Sequence, residues 1–153
     1  MERTLKRQQR TIGSIVKIPL ENGFWTYARI LEDDFAFYDA KTDKDLEISE
    51  IIEKPVIFIS AVYDRAVTQG FWEKISKPIL PLESHFLVPQ SKFKIDIFTK
   101  KYQIIDENAK REATAQECEN LEPWIIWTHD TMEQRLIDHY KGVKNEVLTA
   151  FGY

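Results

Sequence analysis

The sequence predicts an α+β fold: an antiparallel β-rich body, built as a small barrel or half-barrel meander plus a second hairpin, followed by C-terminal helices. Three observations carry this. From Ser14 the apolar residues alternate with a period of two. Glu21-Asn22-Gly23 interrupts the alternation with a tight-turn signature. Late in the chain the apolar spacing lengthens into a helical stripe of Met132, Leu136, Ile137 and Tyr140. Residues 13–153 are expected to form this single α+β domain. Residues 1–12, with Arg3, Lys6, Arg7 and Arg10, are expected to form a basic flexible arm.

In the first strand Val16, Ile18 and Leu20 point one way, and Ile15, Lys17 and Pro19 the other. Asn-Gly tolerates the positive φ that a two-residue hairpin turn demands. The returning strand runs from Phe24 to Leu31, with Phe24, Thr26, Ala28 and Ile30 opposite Trp25, Tyr27, Arg29 and Leu31. Glu32-Asp33-Asp34 makes the next turn, and Phe35–Asp39 a third strand. Such a meander opens many small barrels. Leu46–Glu53 fits a short helix or a strand. "VIFISAVY" after Pro55 is a buried strand. A further strand is expected from Gly70 to about Lys77, then a proline-rich loop over "PILPLESHF". Phe93–Phe98 and Tyr102–Ile105 form the second hairpin across Lys100-Lys101. Thr114 is placed to cap a helix over "AQECENLE", Asp130 and Glu133 resemble a capping box, Gly142 fits the helix stop, and a last helical piece runs from Asn145 to Phe151.

The totals exclude several function classes. The chain has 153 residues, a length that favours one domain, with 43% apolar and 30% charged residues. The single Cys118 rules out an internal disulfide framework and fits a reducing compartment, so a cytoplasmic location is expected. No apolar run is long enough to cross a membrane. The net charge of −4 disfavours nucleic acid as the main partner and suits a basic protein.

Reaction centres are hard to assemble from these residues. His129 and Glu133 would share a helix face, which is half a metal site; zinc needs three or four ligands. Cys118 stands among Glu117, Glu119 and Glu122, whose charges would raise its pKa and blunt it as a nucleophile. Five scattered glycines make no phosphate cradle. No catalytic residue, metal or cofactor is expected. The Trp25–Tyr27 strand face could stack single-stranded bases, which leaves a nucleic-acid-binding small β-barrel as the alternative function, but only Lys17 and Arg29 accompany it. Arg29 is either the anchor for a partner's carboxylate or a buried staple, with Asp39 or a turn acid as its partner.

Read as a whole, "GSIVKIPLENGFWTYARIL" followed by "FAFYDAKT" resembles the opening of the immunity protein 26 family of bacterial polymorphic toxin systems. "EKPVIFISAVYDRAVTQGFWEKISKPIL", "ATAQECENLEPWIIW" and "MEQRLIDHYKG" continue the resemblance from Gly13 to Gly142. Ser14 departs from the Asp frequent in the family, and Phe71 separates Gly70 from Trp72. The resemblance implies an immunity protein, not an enzyme, that binds its cognate toxin domain one-to-one and blocks it. An acidic surface would suit a basic nuclease toxin. Candidate contact residues are the acids Asp33, Asp34, Asp43 and Glu47, with Trp25, Tyr27, Arg29 and Trp72 as anchors; the alternative for the aromatics is the core.

Overall fold

The computed structural model describes residues 4–107 and 109–153. The first three strands are β1 (Ile15–Pro19), β2 (Trp25–Ile30) and β3 (Phe35–Tyr38). β1 and β2 pair antiparallel from Ile15 opposite Arg29 to Pro19 opposite Trp25. The turn between them holds Asn22 at φ 59° and Gly23 at φ 77°, the double positive φ anticipated from the Asn-Gly pair. A short helix α1 (Ile48–Ile52) follows, then β4 (Val56–Val62), which returns antiparallel to β3 with a register shift between Phe37 and Tyr38. The chain continues through α2 (Arg65–Thr68), β5 (Glu73–Lys74), α3 (Ser84–Leu87), β6 (Lys92–Ile95), β7 (Tyr102–Asp106), β8 (Ala109–Ala113), β9 (Glu122–Pro123) and β10 (Ile126–Trp127). It closes with α4 (His129–Lys141) and α5 (Glu146–Ala150).

Two sheets result. The larger, a half-barrel, has the order β10-β4-β3-β2-β1-β5; the smaller has the order β8-β7-β6-β9. All pairs are antiparallel except β10 on β4 and β9 on β6. The α+β class and the C-terminal helices are those expected from the sequence.

Both faces of the half-barrel are covered, which is why β2 and β3 carry almost no exposed residue. On one face Val16, Ile18, Ala28, Ile30, Phe35 and Phe37 pack against Trp72, Trp127, Met132 and Leu136. Trp72 stands edge-on to Phe35 and Phe37 at 5.5 and 5.9 Å, the arrangement ring quadrupoles favour. On the other face Ile15, Tyr27 and Tyr38 pack under Ile51 of α1.

Several boundaries differ from the sequence-based expectation. The strand expected from Gly70 shrinks to Glu73–Lys74, because Gly70 turns at φ 81° and Trp72 is drawn into the core. One helical turn, α3, stands inside the proline-rich loop. "AQECENLE" is a run of turns, with Cys118 N donating to Ala115 O and Leu121 N to Cys118 O. The chain must extend again at Glu122 to pair with β6, so a longer helix has no room. α4 is capped by Thr128, reciprocally with Thr131, rather than by Asp130 and Glu133. The strand β8, with four of its five residues exposed, shows no apolar alternation in sequence and was not anticipated.

The N-terminal segment differs from a free arm. Gln8 donates to the carbonyls of Val67 (2.9 Å) and Trp72 (2.8 Å) and accepts from Lys74 N (2.8 Å). Arg10 donates to the carbonyls of Glu32 and Asp34. Arg3 lies outside the described residues.

Candidate functional site

The residues singled out in the sequence divide into buried and surface groups. Tyr27, Arg29 and Trp72 are core residues, 1%, 0% and 0% exposed. They cannot act as surface anchors, because the half-barrel is covered on both faces. Trp25 is half-buried beside them; its Nε1 donates to Tyr27 Oη at 2.8 Å, and Lys17 Nζ lies 3.9 Å from its ring centroid. The Tyr27 hydroxyl also accepts from Leu46 N. The Trp25–Tyr27 face is therefore closed under α1 and does not form an open stacking platform for bases.

Arg29 is the buried staple. Its Nε donates to Gly13 O at 2.9 Å and its Nη2 to Ile79 O at 2.6 Å. Its Nη1 lies 3.3 Å from the Tyr38 hydroxyl and 3.4 Å from the Glu83 carboxylate. The acid is Glu83, from the proline-rich loop, in place of Asp39. A guanidinium with five donors in a fixed fork can hold two carbonyls, a hydroxyl and a carboxylate at once. Burial raises the Tyr38 pKa, and the Arg29 hydrogen bond partly opposes it.

The acids are at the surface. Asp33, Asp43 and Glu47 are exposed, while Asp34 is half-buried and bonds Lys92 Nζ at 2.6 Å. Glu47 joins Glu50 in the capping box of α1. Asp33 and Asp34 thus lie apart in sequence and role from Asp43 and Glu47.

His129 and Glu133 do meet, Nδ1 to Oε2 at 3.1 Å. The same Glu133 oxygen accepts from Trp72 Nε1 at 3.0 Å, and the imidazole stacks on Phe71 at 3.7 Å. Both side chains are tied into packing. Among the described residues, no three His, Cys, Asp or Glu side chains are grouped to hold a metal ion. Cys118 is buried, and its pKa is raised by desolvation first and by Glu117 second.

Between the two sheets lies a groove of about 750 Å³. Its wall is the loop from Leu80 to Gln90, held down by Arg29 through Ile79 and Glu83. Leu31 and Ala61 line it from the half-barrel side, Lys92 and Ile105 from the small sheet, and Asp33 and Asp34 sit on its rim. The sequence pointed to those acids but not to the apolar lining. The signal was present: Leu80, Leu87 and Val88 sit in a proline-punctuated stretch that a buried strand cannot use.

Residues 11–103 match the model of a protein family described as Immunity protein 26, over well more than half of the chain. The chain belongs to the immunity protein 26 family. The matched region spans β1 to β6, the helix α1 that covers one face of the half-barrel and the loop that walls the groove, whereas Trp127, Met132 and Leu136 on the other face lie beyond it. The stretches "ATAQECENLEPWIIW" and "MEQRLIDHYKG" lie beyond the matched residues of this immunity protein 26 member. No curated protein and no solved structure matches the chain. No helix among the described residues is long and apolar enough to cross a membrane.

Proposed function

We propose that this chain neutralises a cognate bacterial toxin by stoichiometric contact, as a cytoplasmic inhibitor that makes and breaks no bonds of its own. The observation that carries the proposal is the immunity protein 26 match over residues 11–103. The physical features are compatible with that role. An inhibitor of this kind needs a rigid scaffold and a complementary surface, and the buried charged residues Arg29 and Asp138, with the part-buried Glu133 and Arg135, are each engaged in hydrogen bonds or pairing. The exposed acids Asp33, Asp43 and Glu47 offer negative charge that a basic nuclease toxin would meet favourably, and Asp34 beside Asp33 is paired with Lys92.

The test starts from the gene next to the one encoding this chain. The toxin domain encoded there is co-expressed with and without the full chain. Rescue of growth and a one-to-one complex in size-exclusion chromatography with light scattering are the expected results. Failure of both, or conversion of a substrate by the purified chain alone, would overturn the proposal.

A further inference from the structure

The groove between the sheets combines two properties that rarely coincide on an idle surface. Among the described residues, twelve large apolar side chains are exposed, and six of them line this one groove: Ile12, Leu80, Leu87, Val88, Trp124 and Ile126. Exposed apolar residues scattered singly are ordinary. Half of them converging on a single concavity makes a contiguous apolar patch, the mark of an interaction site.

The second property is charge. Glu32, Asp33 and Glu107 stand on the rim and are exposed. Among the described residues the groove has one lining cation, Lys92, and it is already neutralised by Asp34. Arg10 lies near enough to feel Asp33 and Asp34, yet its donors go to the main-chain carbonyls of Glu32 and Asp34, and its Nε lies 3.2 Å from Asp64. No described cation forms an ion pair with Glu32, Asp33 or Glu107. The rim therefore keeps unspent negative charge around an apolar floor.

The other candidate surfaces lack this combination. Asp45 is paired with Lys17, and Glu47 is committed to its helix cap. The hairpin tip at Ile97 and Phe98 is apolar, but Lys94, Lys100 and Lys101 surround it in sequence, the wrong sign for a cationic partner.

Resting on the immunity function proposed above, we infer that this groove is the toxin-docking face and takes a cationic segment of the toxin. Apolar side chains of that segment seat against Leu87, Val88, Trp124 and Ile126. Its Lys or Arg heads meet Glu32, Asp33 and Glu107. Apolar anchors supply most of the binding free energy, and the acids supply steering and register.

The probe is an inactivated form of the toxin domain encoded beside this chain, titrated calorimetrically into the full-length protein at about 0.15 M salt. Glu32→Lys with Asp33→Lys, and separately Leu87→Ser with Val88→Ser, are each expected to weaken Kd by about 30-fold or more, the scale of an interface hot spot. Glu53→Lys with Glu119→Lys matches the first variant in charge at exposed acids outside the groove, and Phe98→Ser removes an exposed apolar group elsewhere; both are expected to stay within about 3-fold of wild type. All these positions are exposed, so the variants should fold, and melting curves check that they do. If wild type binds and the groove variants bind equally well, the groove assignment is overturned while the immunity function stands. If wild type forms no complex, the immunity function falls first and the groove assignment with it. If wild type is a dimer that Leu87→Ser with Val88→Ser dissolves while toxin binding persists, a second copy of the chain covers the groove and the assignment is again overturned.

Discussion

Arg29 and Glu83 are 54 residues apart, yet the Arg29 guanidinium, wholly buried in the half-barrel, reaches the Glu83 carboxylate at 3.4 Å. The same side chain holds Ile79 O, so both ends of the Ile79–Glu83 loop are fastened to one group in the sheet. The ion pair itself contributes little, because Glu83 is 42% exposed and screened by water. The buried carbonyls contribute more. Arg29→Ala is expected to lower unfolding stability by about 3 kcal/mol, since it leaves Ile79 O without a donor and Gly13 O with only the Ile79 N–H. Glu83→Gln should cost less than about 1 kcal/mol. Urea denaturation of both variants measures the difference.

Glu122 occupies the seam between the sheets. It accepts from Ser60 Oγ at 2.9 Å and forms a two-pronged pair with Arg135, whose guanidinium lies 3.7 Å from the Phe58 ring centroid. Both partners are nearly nine-tenths buried. Removing one leaves an uncompensated charge, so Glu122→Ala is expected to cost about 3 kcal/mol. Arg135→Lys should recover only part of the wild-type stability, because an ammonium cannot make the forked contact. Chemical denaturation of the pair of variants reports both.

Two glycines give an opposite contrast. Gly142 ends α4 at φ 69° with open space around it, so Gly142→Ala pays only the left-handed backbone term, about 1 kcal/mol. Gly70, at φ 81°, has Lys6 O only 2.2 Å from where a Cβ would stand. Gly70→Ala is therefore expected to cost more than about 3 kcal/mol. In a background lacking residues 1–7 its cost should fall toward that of Gly142→Ala, a non-additivity that thermal melts would detect.

Asp96 sets the tip of the second hairpin. Its carboxylate accepts from Phe98 N and Thr99 N, both at 2.8 Å, and these main-chain bonds, Thr99 first, hold its pKa below the ordinary value. A lowered folded-state pKa gives stabilisation that is present above the unfolded value and lost as pH falls through the folded one. The amide resonances of Phe98 and Thr99 should hold their positions down to pH values below the usual carboxylate range, then shift together. A midpoint at the ordinary Asp value would contradict the bond.

Cys118 is expected to be a silent thiol. Burial and the neighbouring Glu117 raise its pKa, so little thiolate forms near neutral pH. Reaction with a disulfide reagent at pH 8 should be slow in the native protein and immediate in denaturant. A fast native reaction would mean the thiol is open to solvent.

The legible part of the sequence was where side-chain period and turn chemistry agreed. Val16 and Ile18 do face Trp72's side of the sheet, Asn22-Gly23 makes the turn, and Gly142 stops α4 in the left-handed region. What stayed hidden depended on distant partners. Nothing near Arg29 in sequence names Ile79 or Glu83. Thr128 displaced Asp130 as the helix cap because Glu133 was claimed by Trp72 and His129, two contacts made only in three dimensions. Strand β8 has almost no apolar face, so only its pairing with β7 creates it. The rim acids were visible as a turn, Glu32-Asp33-Asp34, but the apolar floor beside them is assembled from the Leu80–Gln90 loop and the Trp124–Ile126 segment.

The short stretch from Glu122 to Trp127 has a consequence for anyone trimming this protein. It lends β9 to one sheet and β10 to the other, each as the outermost parallel strand. A fragment stopped at Gln103, where the family match ends, would bare the flanks of both β4 and β6 and strip Trp127, Met132 and Leu136 from beneath the half-barrel. Unsheathed strand flanks over a hollowed interior recruit one another. Such a fragment should come out of the cell in inclusion bodies, because the six-residue stitch that covers both flanks is missing from it.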